Sequence, residues 1–224
     1  MSKETSASLN DKVESFILKN RTAILAVIVA AVVAGGIACA VVGTTDAANK
    51  KGLALLDAAE YAFTNKSDSL SDAEITARQE KALEACAKFT SKKGILGVRS
   101  NMLAADIAFG KKDYAQALEN YLAAVNAGKK YYTASINLFN AAVCAEETGD
   151  IESAANYYEQ AAEDKDFYLA PHSLFNAARV RDEAGKAEEA AAIYKKVTEK
   201  FPNDDWANAA QSRIIDLQSK GKIE

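Results

Sequence analysis

The sequence Leu138-Phe139-Asn140-Ala141-Ala142 occurs again 36 residues later as Leu174-Phe175-Asn176-Ala177-Ala178. Each copy is followed by a glycine, Gly149 or Gly185, and then by a second segment that is rich in alanine and contains a tyrosine. Both segments of each copy have the apolar spacing of an amphipathic helix. The stretch therefore predicts a repeated pair of helices with a short turn at the glycine.

The second helix of each pair carries small residues on either side of a tyrosine. The three copies of this pattern are Ala117-Tyr121-Ala124, Ala154-Tyr158-Ala161 and Ala190-Tyr194-Val197. The tandem offsets, 37 residues from Tyr114 to Ile151 and 36 from Ile151 to Ala187, are close to the roughly 34-residue period of tetratricopeptide repeats (TPRs). The chain therefore resembles TPR proteins, in which small residues let paired helices approach and larger ones fill the gap to the next pair. An alanine-rich antiparallel bundle is the alternative.

The repeat pattern extends over most of the chain, and the predicted fold is all-α. We expect a TPR-like domain over residues 44–224, with repeats near 98–128, 135–166 and 171–203. A degenerate leading helix pair is expected at 46–91, with a loop at 65–69 and a capping box formed by Ser71 and Glu74. An end helix at 204–219, which includes Trp206, is expected to cap the exposed face of the superhelix.

Composition argues against several classes of function. With 27 basic and 31 acidic residues the net charge is −4, so the chain has no basic field that would hold nucleic acid. Its three cysteines have no CxxC spacing and only one histidine accompanies them, so no zinc site is recognisable. We expect Cys86 and Cys144 to be small buried hydrophobic residues, and we expect no metal or cofactor.

A segment near the N-terminus is apolar enough to cross a membrane. Residues 23–42 are apolar or small, and no charge occurs between Arg21 and Asp46. At about 1.5 Å per residue, twenty helical residues span the roughly 30 Å core of a bilayer. We therefore predict a transmembrane helix at 22–43. A cleaved signal peptide with Ala38-Cys39-Ala40 as its site and a lipoprotein signal ending at Cys39 are the alternatives, and the length of the apolar run favours an anchor.

The charges beside this segment predict its orientation. Four basic residues precede it and two follow it within twenty residues: Lys3, Lys12, Lys19 and Arg21, then Lys50 and Lys51. The positive-inside rule places residues 1–21 in the cytoplasm as a short tail and the repeats outside it. The predicted location is the inner membrane of a bacterium, single-pass, with the repeats in the periplasm of a Gram-negative-type cell.

Small residues recur at every fourth position of the apolar segment, namely Ala31, Gly35, Cys39 and Gly43. Such a face lets a second transmembrane helix approach closely, and we therefore hypothesise an intramembrane partner. The alternative is that a segment rich in alanine and glycine produces this spacing by chance.

The first helices of TPR units line the concave side of the superhelix, where partners bind. Counting back from the turn glycines places on or near that side Arg99, Met102, Asp106, Ile136, Phe139, Asn140, Val143, His172, Phe175, Asn176 and Arg179. Phe139 and Phe175 occupy equivalent positions and would anchor an extended or helical peptide, with Asn140 and Asn176 reaching its backbone. The alternative for both phenylalanines is packing between repeats.

Two specific chemistries are not expected. Some TPR domains capture a terminal carboxylate with lysines and asparagines, but Ile136 and His172 stand where the lysines would be. His172 follows Pro171 and is expected to be a turn residue. The chain has no GxSxG, HExxH or Walker A pattern and no catalytic constellation, so we do not expect an enzyme or a small-molecule substrate.

The layout as a whole resembles the YfgM-type family of ancillary subunits of the Sec translocon. The closest local likeness is Asp11-Lys12-Val13-Glu14, followed by Phe16 and Asn20 just before the apolar segment. The resemblance implies a membrane-anchored protein-interaction module that associates with translocon subunits and with periplasmic chaperones. The alternative is a TPR scaffold that resembles the TPR lipoproteins of outer-membrane protein assembly, with Cys39 as the lipidated residue.

Overall fold

The structure is a computed structural model that describes the backbone of residues 2–65 and 70–224 and the side chains of residues 11–65 and 70–224. Over these residues it contains nine helices and no strand. The helices are α1 (Ser2–Thr64), α2 (Asp72–Ala87), α3 (Ile95–Gly110), α4 (Tyr114–Ala127), α5 (Thr133–Glu147), α6 (Ile151–Ala161), α7 (Ala170–Glu183), α8 (Ala187–Lys200) and α9 (Asp205–Ser219). The prediction of an all-α chain is confirmed. Of the loop predicted at 65–69, residues 66–69 lie outside the described residues.

The chain divides into two units, one up to Lys51 and one from Gly52 to Glu224. The first unit consists of α1 residues. Among the described residues, α1 is the one helix that is long and apolar enough to cross a membrane, and none of its most apolar window is buried. The small residues at 31, 35, 39 and 43 are all exposed. The helix does not end at residue 21 or 43, so the boundaries predicted there are changes of composition within a helix.

At the end of the apolar segment, two threonine hydroxyls are satisfied within the helix itself. Thr44 donates a hydrogen bond of 3.0 Å to the carbonyl of Ala40, and Thr45 donates one of 2.7 Å to that of Val41. A polar group bonded to its own helix costs less to place in an apolar environment than an unpaired one. These threonines are therefore compatible with a position at the edge of a bilayer.

In the second unit, consecutive helices from α2 to α9 pack against one another. The small residues of the second helices lie at these contacts, since Ala117, Ala154 and Ala190 are each 0% exposed. Tyr121, Tyr158 and Tyr194 are also buried and fill the space between helix pairs. The predicted pattern of close alanine contacts and space-filling tyrosines is therefore present in the structure.

The turns between paired helices have the same geometry in all three copies. Gly149 and Gly185 adopt φ values of +80° and +79°, and Lys112 adopts +61° at the equivalent position of the first copy. The N–H of the following residue then donates to a carbonyl five residues earlier, from Asp113 to Ala108, Asp150 to Ala145 and Lys186 to Arg181. This is the Schellman ending, which favours glycine because a Cβ clashes in the left-handed conformation.

Side chains cap the N-termini of several helices. Ser71 and Glu74 form the predicted capping box at the start of α2. Asp113 and Asp150 accept hydrogen bonds of 3.2 and 3.1 Å from the N–H groups of Gln116 and Ser153. These caps satisfy donors that have no partner within the helix, and they fix where the second helices begin.

Arg181 is the one charged side chain that is buried among the described residues. It lies on α7, and its guanidinium contacts Glu159 of α6 at 2.6 Å and Glu189 of α8 at 3.3 Å. A buried charge is tolerated only where it is paired in this way. Arg181 therefore ties three successive helices together at a fixed register.

The cysteines behave as predicted in the second unit. Cys86 is 1% exposed and Cys144 is 0% exposed, and burial raises the pKa of each thiol to about 11. The two thiols are therefore unreactive core residues at neutral pH. Cys39, in the first unit, is exposed.

Candidate functional site

The candidate site is the face formed by the first helices α3, α5 and α7, which we call the inner face. Its predicted members, defined above from the repeat spacing, differ in exposure. Those that are partly exposed are Arg99, Met102, Ile136, Phe139, Asn140, Val143, His172 and Arg179. Asp106 is exposed, whereas Phe175 and Asn176 are each only 8% exposed. The exposed part of the inner face is therefore a mixed apolar and polar surface on α3 and α5. On α7 a smaller part of the predicted residues is exposed.

An aromatic cluster occupies the α7 end of the inner face. The imidazole of His172 stacks on the indole of Trp206 with ring centroids 4.1 Å apart and planes 8° from parallel. Phe175 lies 4.9 Å from Trp206 and 5.3 Å from Tyr194. The ring of Phe175 is therefore engaged within the chain, and Trp206 covers the end of the helix stack as predicted.

Phe139 is the more accessible of the two equivalent phenylalanines. Its ring contacts Tyr158 edge to face at 5.3 Å and lies 5.5 Å from His172, but it remains partly exposed. His172 lies within α7, in its first helical turn. The prediction that it belongs to the turn before the helix is therefore wrong. Burial and the charge of Arg179 lower the pKa of His172, so its imidazole is neutral near pH 7.

Tyrosine hydroxyls from the second helices reach carboxylates on the first helices. The hydroxyl of Tyr121 donates a 2.6 Å hydrogen bond to Asp106, and that of Tyr158 donates a 3.2 Å hydrogen bond to Glu146. Arg179 also contacts Glu146, through Nη2 at 2.8 Å. Its hydrogen bond to that carboxylate raises the pKa of Arg179. The inner face is therefore held together by charged hydrogen bonds as well as by apolar contacts.

At the other end of the inner face, Arg99 pairs with two acids of α1. Its guanidinium contacts Asp57, and its Nη2 atom lies 2.5 Å from Glu60. These acids are about half exposed, so the pairs contribute little to stability. They nevertheless fix the position of Arg99 and bring acidic groups of α1 beside α3.

A pocket of about 160 Å³ opens between these elements. Apolar side chains of α3 line it, together with Glu60, Arg99 and Asp106, and with Tyr131 and Tyr132 from the segment before α5. Tyr132 is 81% exposed. The pocket therefore combines an apolar lining, aromatic walls and charged groups, which is the composition typical of binding sites.

Arg99, Met102 and Asp106, which the sequence predicts on one side of the superhelix, all line this pocket. The sequence reasoning did not predict the other charged and aromatic lining residues, Glu60, Tyr131 and Tyr132. The repeat spacing carries a signal for the tyrosines, because Tyr168 follows Tyr132 by 36 residues and is 78% exposed in the same position before α7. No comparable signal marks Glu60.

The comparisons with known proteins agree with the geometry. Two family profiles, both described as tetratricopeptide repeat, match residues 135–163 and 172–204. The chain is also 31% identical over 139 residues to a TPR repeat-containing protein of Treponema pallidum (strain Nichols). That alignment covers 62% of this chain and 58% of the relative, so the chain spans somewhat less than two thirds of the length of the protein that it matches.

The predicted tetratricopeptide repeats are therefore confirmed where the family profiles match, at residues 135–163 and 172–204. The helix pair α3–α4 has the same turn geometry. TPR proteins are generally scaffolds without catalytic activity, and their repeats bind other proteins. The chain thus contains tetratricopeptide repeats at residues 135–163 and 172–204, and such repeats imply a protein–protein interaction module.

Proposed function

We propose that the chain is a membrane-anchored interaction module that binds a segment of a partner protein along its inner face. The observation that carries this proposal is that one chain contains both TPR helix pairs and a long apolar helix. The repeats offer a partly exposed surface centred on Phe139, and the same chain includes one helix long and apolar enough to span a bilayer.

The anchor is supported by the side chains of the first unit. Three of its apolar residues, Val32, Val33 and Ile37, are 54–69% exposed. Exposure of so large an apolar surface is unfavourable in water, and burying it in lipid removes that cost. The flanking basic residues favour a cytoplasmic N-terminus, which would put the repeats on the extracytoplasmic side of a bacterial inner membrane.

Cysteine labelling tests this topology, because Cys86 and Cys144 are buried. In a Cys39→Ala background we would place a single reactive cysteine by Ser219→Cys at the end of α9, and by Ser15→Cys in the predicted tail as the matched control. In intact spheroplasts a membrane-impermeant maleimide should label the first variant and spare the second. Labelling of Ser15→Cys alone would reverse the proposed orientation, and labelling of both without lysis would exclude a cytoplasmic tail.

Partner binding is tested by photocrosslinking in intact cells. A photoreactive phenylalanine at Val143, which is partly exposed on the inner face, should give adducts with a defined protein. The same group at Glu188, which is exposed on α8, serves as the control. Equal adducts at both positions, or none at either, would contradict binding at the inner face.

The partner that we propose is a translocon subunit or a periplasmic chaperone, on the resemblance of the overall layout. The second candidate is a scaffold of an envelope or outer-membrane assembly machine, with Cys39 as a lipidated N-terminus. Cys39 favours this alternative only in being the one exposed cysteine of the three. Mass spectrometry of the mature protein distinguishes the two, since a diacylated Cys39 as the first residue would replace the single-pass anchor.

A further inference from the structure

Two acids on the inner face accept a hydrogen bond from a tyrosine of the following helix, but only one of them has a cationic partner. Glu146 accepts a hydrogen bond from Tyr158 and also lies 2.8 Å from Arg179 of α7, the first helix of the following repeat. Asp106 accepts from Tyr121 at 2.6 Å and has no ion pair with any described residue. At the repeat position that Arg179 occupies on α7, α5 carries Val143. The chain therefore supplies a cation at one site and leaves the other without one.

The pocket beside Asp106 has an excess of negative charge. Glu60 and Asp106 line it, and Asp57 joins Glu60 in contacting Arg99. Asp57 and Glu60 thus share one guanidinium, and Asp106 is a further carboxylate in the lining of the pocket. Although Asp106 as a residue is exposed, partial desolvation of its carboxylate beside Tyr121 raises its pKa, and the negative charge of Glu60 contributes to the rise. A cation placed between Glu60 and Asp106 would relieve this repulsion.

The rest of the lining suits the stem of a long cationic side chain. Val98, Met102 and Leu103 contribute apolar side chains to the lining, and Tyr131 and Tyr132 contribute aromatic side chains. Lysine and arginine bury their methylene groups against such surfaces while the charged end reaches polar groups. Tyrosine faces add an attraction for the cation itself.

The volume of the pocket points to a single side chain. At about 160 Å³, it is about half the roughly 300 Å³ at which pockets for small organic ligands begin. A side chain projecting from a peptide on the inner face needs no larger space. Tyr132, which lines the pocket, is itself 81% exposed to solvent.

We propose that the pocket between α1, α3 and the start of α5 receives a lysine or arginine side chain of the bound partner segment. The inference rests on the proposed function and specifies the partner as a basic segment. Glu60 and Asp106 contact the cation, and Met102 contacts its methylene stem.

Met102 provides a direct test, because it lines the pocket and the sequence contains only one other methionine, Met1. The full chain with ¹³C-labelled methionine methyl groups, in a neutral maltoside detergent, is titrated with blocked pentapeptides that differ only at the central residue. That residue is lysine, arginine, norleucine or glutamate. The lysine and arginine peptides should shift the Met102 methyl resonance.

Norleucine preserves the stem and removes the charge, so its peptide should bind at least about tenfold more weakly than the lysine peptide. Asp106→Asn should weaken binding of the lysine peptide to a similar extent. Glu188→Gln makes the same change of charge on the far helix α8 and should leave the affinity for the lysine peptide unchanged. Raising the ionic strength should weaken binding of the basic peptides alone.

Equal binding of the lysine and norleucine peptides, or unchanged affinity in Asp106→Asn, would overturn this inference. The photocrosslinking experiment separates its failure from that of the proposed function. Adducts at Val143 without a response of Met102 to the basic peptides would refute the cationic pocket and leave the interaction face intact. A response of Met102 with no adduct at Val143 would locate binding at the pocket alone.

Discussion

Tyr121 of α4 donates a hydrogen bond of 2.6 Å to the carboxylate of Asp106 on α3. Burial raises the pKa of the Tyr121 phenol far above its ordinary value, so the phenol remains a donor at every physiological pH. Tyr194, two repeats later, is 0% exposed, and its hydroxyl has no hydrogen-bond partner among the described residues. Equivalent tyrosines thus have opposite hydrogen-bonding environments.

We therefore predict opposite effects of removing the two hydroxyls. Tyr121→Phe should lower the free energy of unfolding by about 1–2 kcal/mol, because the bond joins a charged group. Tyr194→Phe should leave it unchanged or raise it, because an unpaired buried hydroxyl is lost. Denaturant unfolding of the full chain in detergent, followed by circular dichroism, measures both. Equal destabilisation by the two variants would contradict the assignment of hydrogen bonds.

Lys112 adopts a left-handed conformation, with φ of +61°, where the other two turns have glycine. A residue with a side chain pays roughly 1–2 kcal/mol of free energy to adopt this conformation. Glycine avoids that cost, but its larger loss of backbone entropy on folding offsets part of the gain. Lys112→Gly should therefore stabilise the fold by about 0.5–1 kcal/mol. The control is Lys111→Gly, since Lys111 has a φ of −82° and should gain nothing. A stabilising control would point to charge removal as the cause.

Ala154 of α6 is completely buried at a contact between helices. Ala154→Leu should overpack this contact and lower the free energy of unfolding by about 1–3 kcal/mol. Ala115→Leu is the matched control, because Ala115 lies exposed on α4 and the change there should be close to neutral. A neutral Ala154→Leu would show that the small side chain is not required for the close approach of α6.

His172 is the only histidine of the chain, and burial followed by the charge of Arg179 lowers its pKa in the folded state. The unfolded chain, with a pKa near 6.5, therefore binds the proton more readily. The stability associated with neutral His172 is complete above the unfolded pKa and is lost as the pH falls through it. His172→Gln should reduce the fall in stability between about pH 7 and pH 5 relative to the unchanged chain, as measured by thermal unfolding. An identical pH profile in both proteins would refute the shift.

The helix pairs were predictable because the repeat presents the same local signals three times. Alanines at contacts and tyrosines between pairs recur at 36 or 37 residues in all three copies, glycines occupy two of the three turns, and each signal has a local physical cause. The inner face followed from that register. Even Lys112 could be placed in its unusual conformation by alignment with Gly149.

Contacts made by elements outside the repeat were not predictable in this way. Glu60 and Asp57 belong to α1, whose approach to Arg99 depends on packing around Leu56 and not on a periodic pattern. Likewise, Phe175 is buried by Trp206 of the end helix, so its equivalence with Phe139 in sequence does not extend to exposure. Insertion of α1 in a membrane and the identity of the partner stay predictions.

The succession of neighbouring helix contacts in the second unit has a consequence for how the chain acquires its structure. Since most contacts between helices join consecutive helices, little loop entropy must be lost before native contacts form. Each helix pair can pack against the following pair as soon as that pair is available. If the unit is exported as we propose, it is suited to ordered assembly from its N-terminal side during passage, before α9 brings Trp206 onto His172.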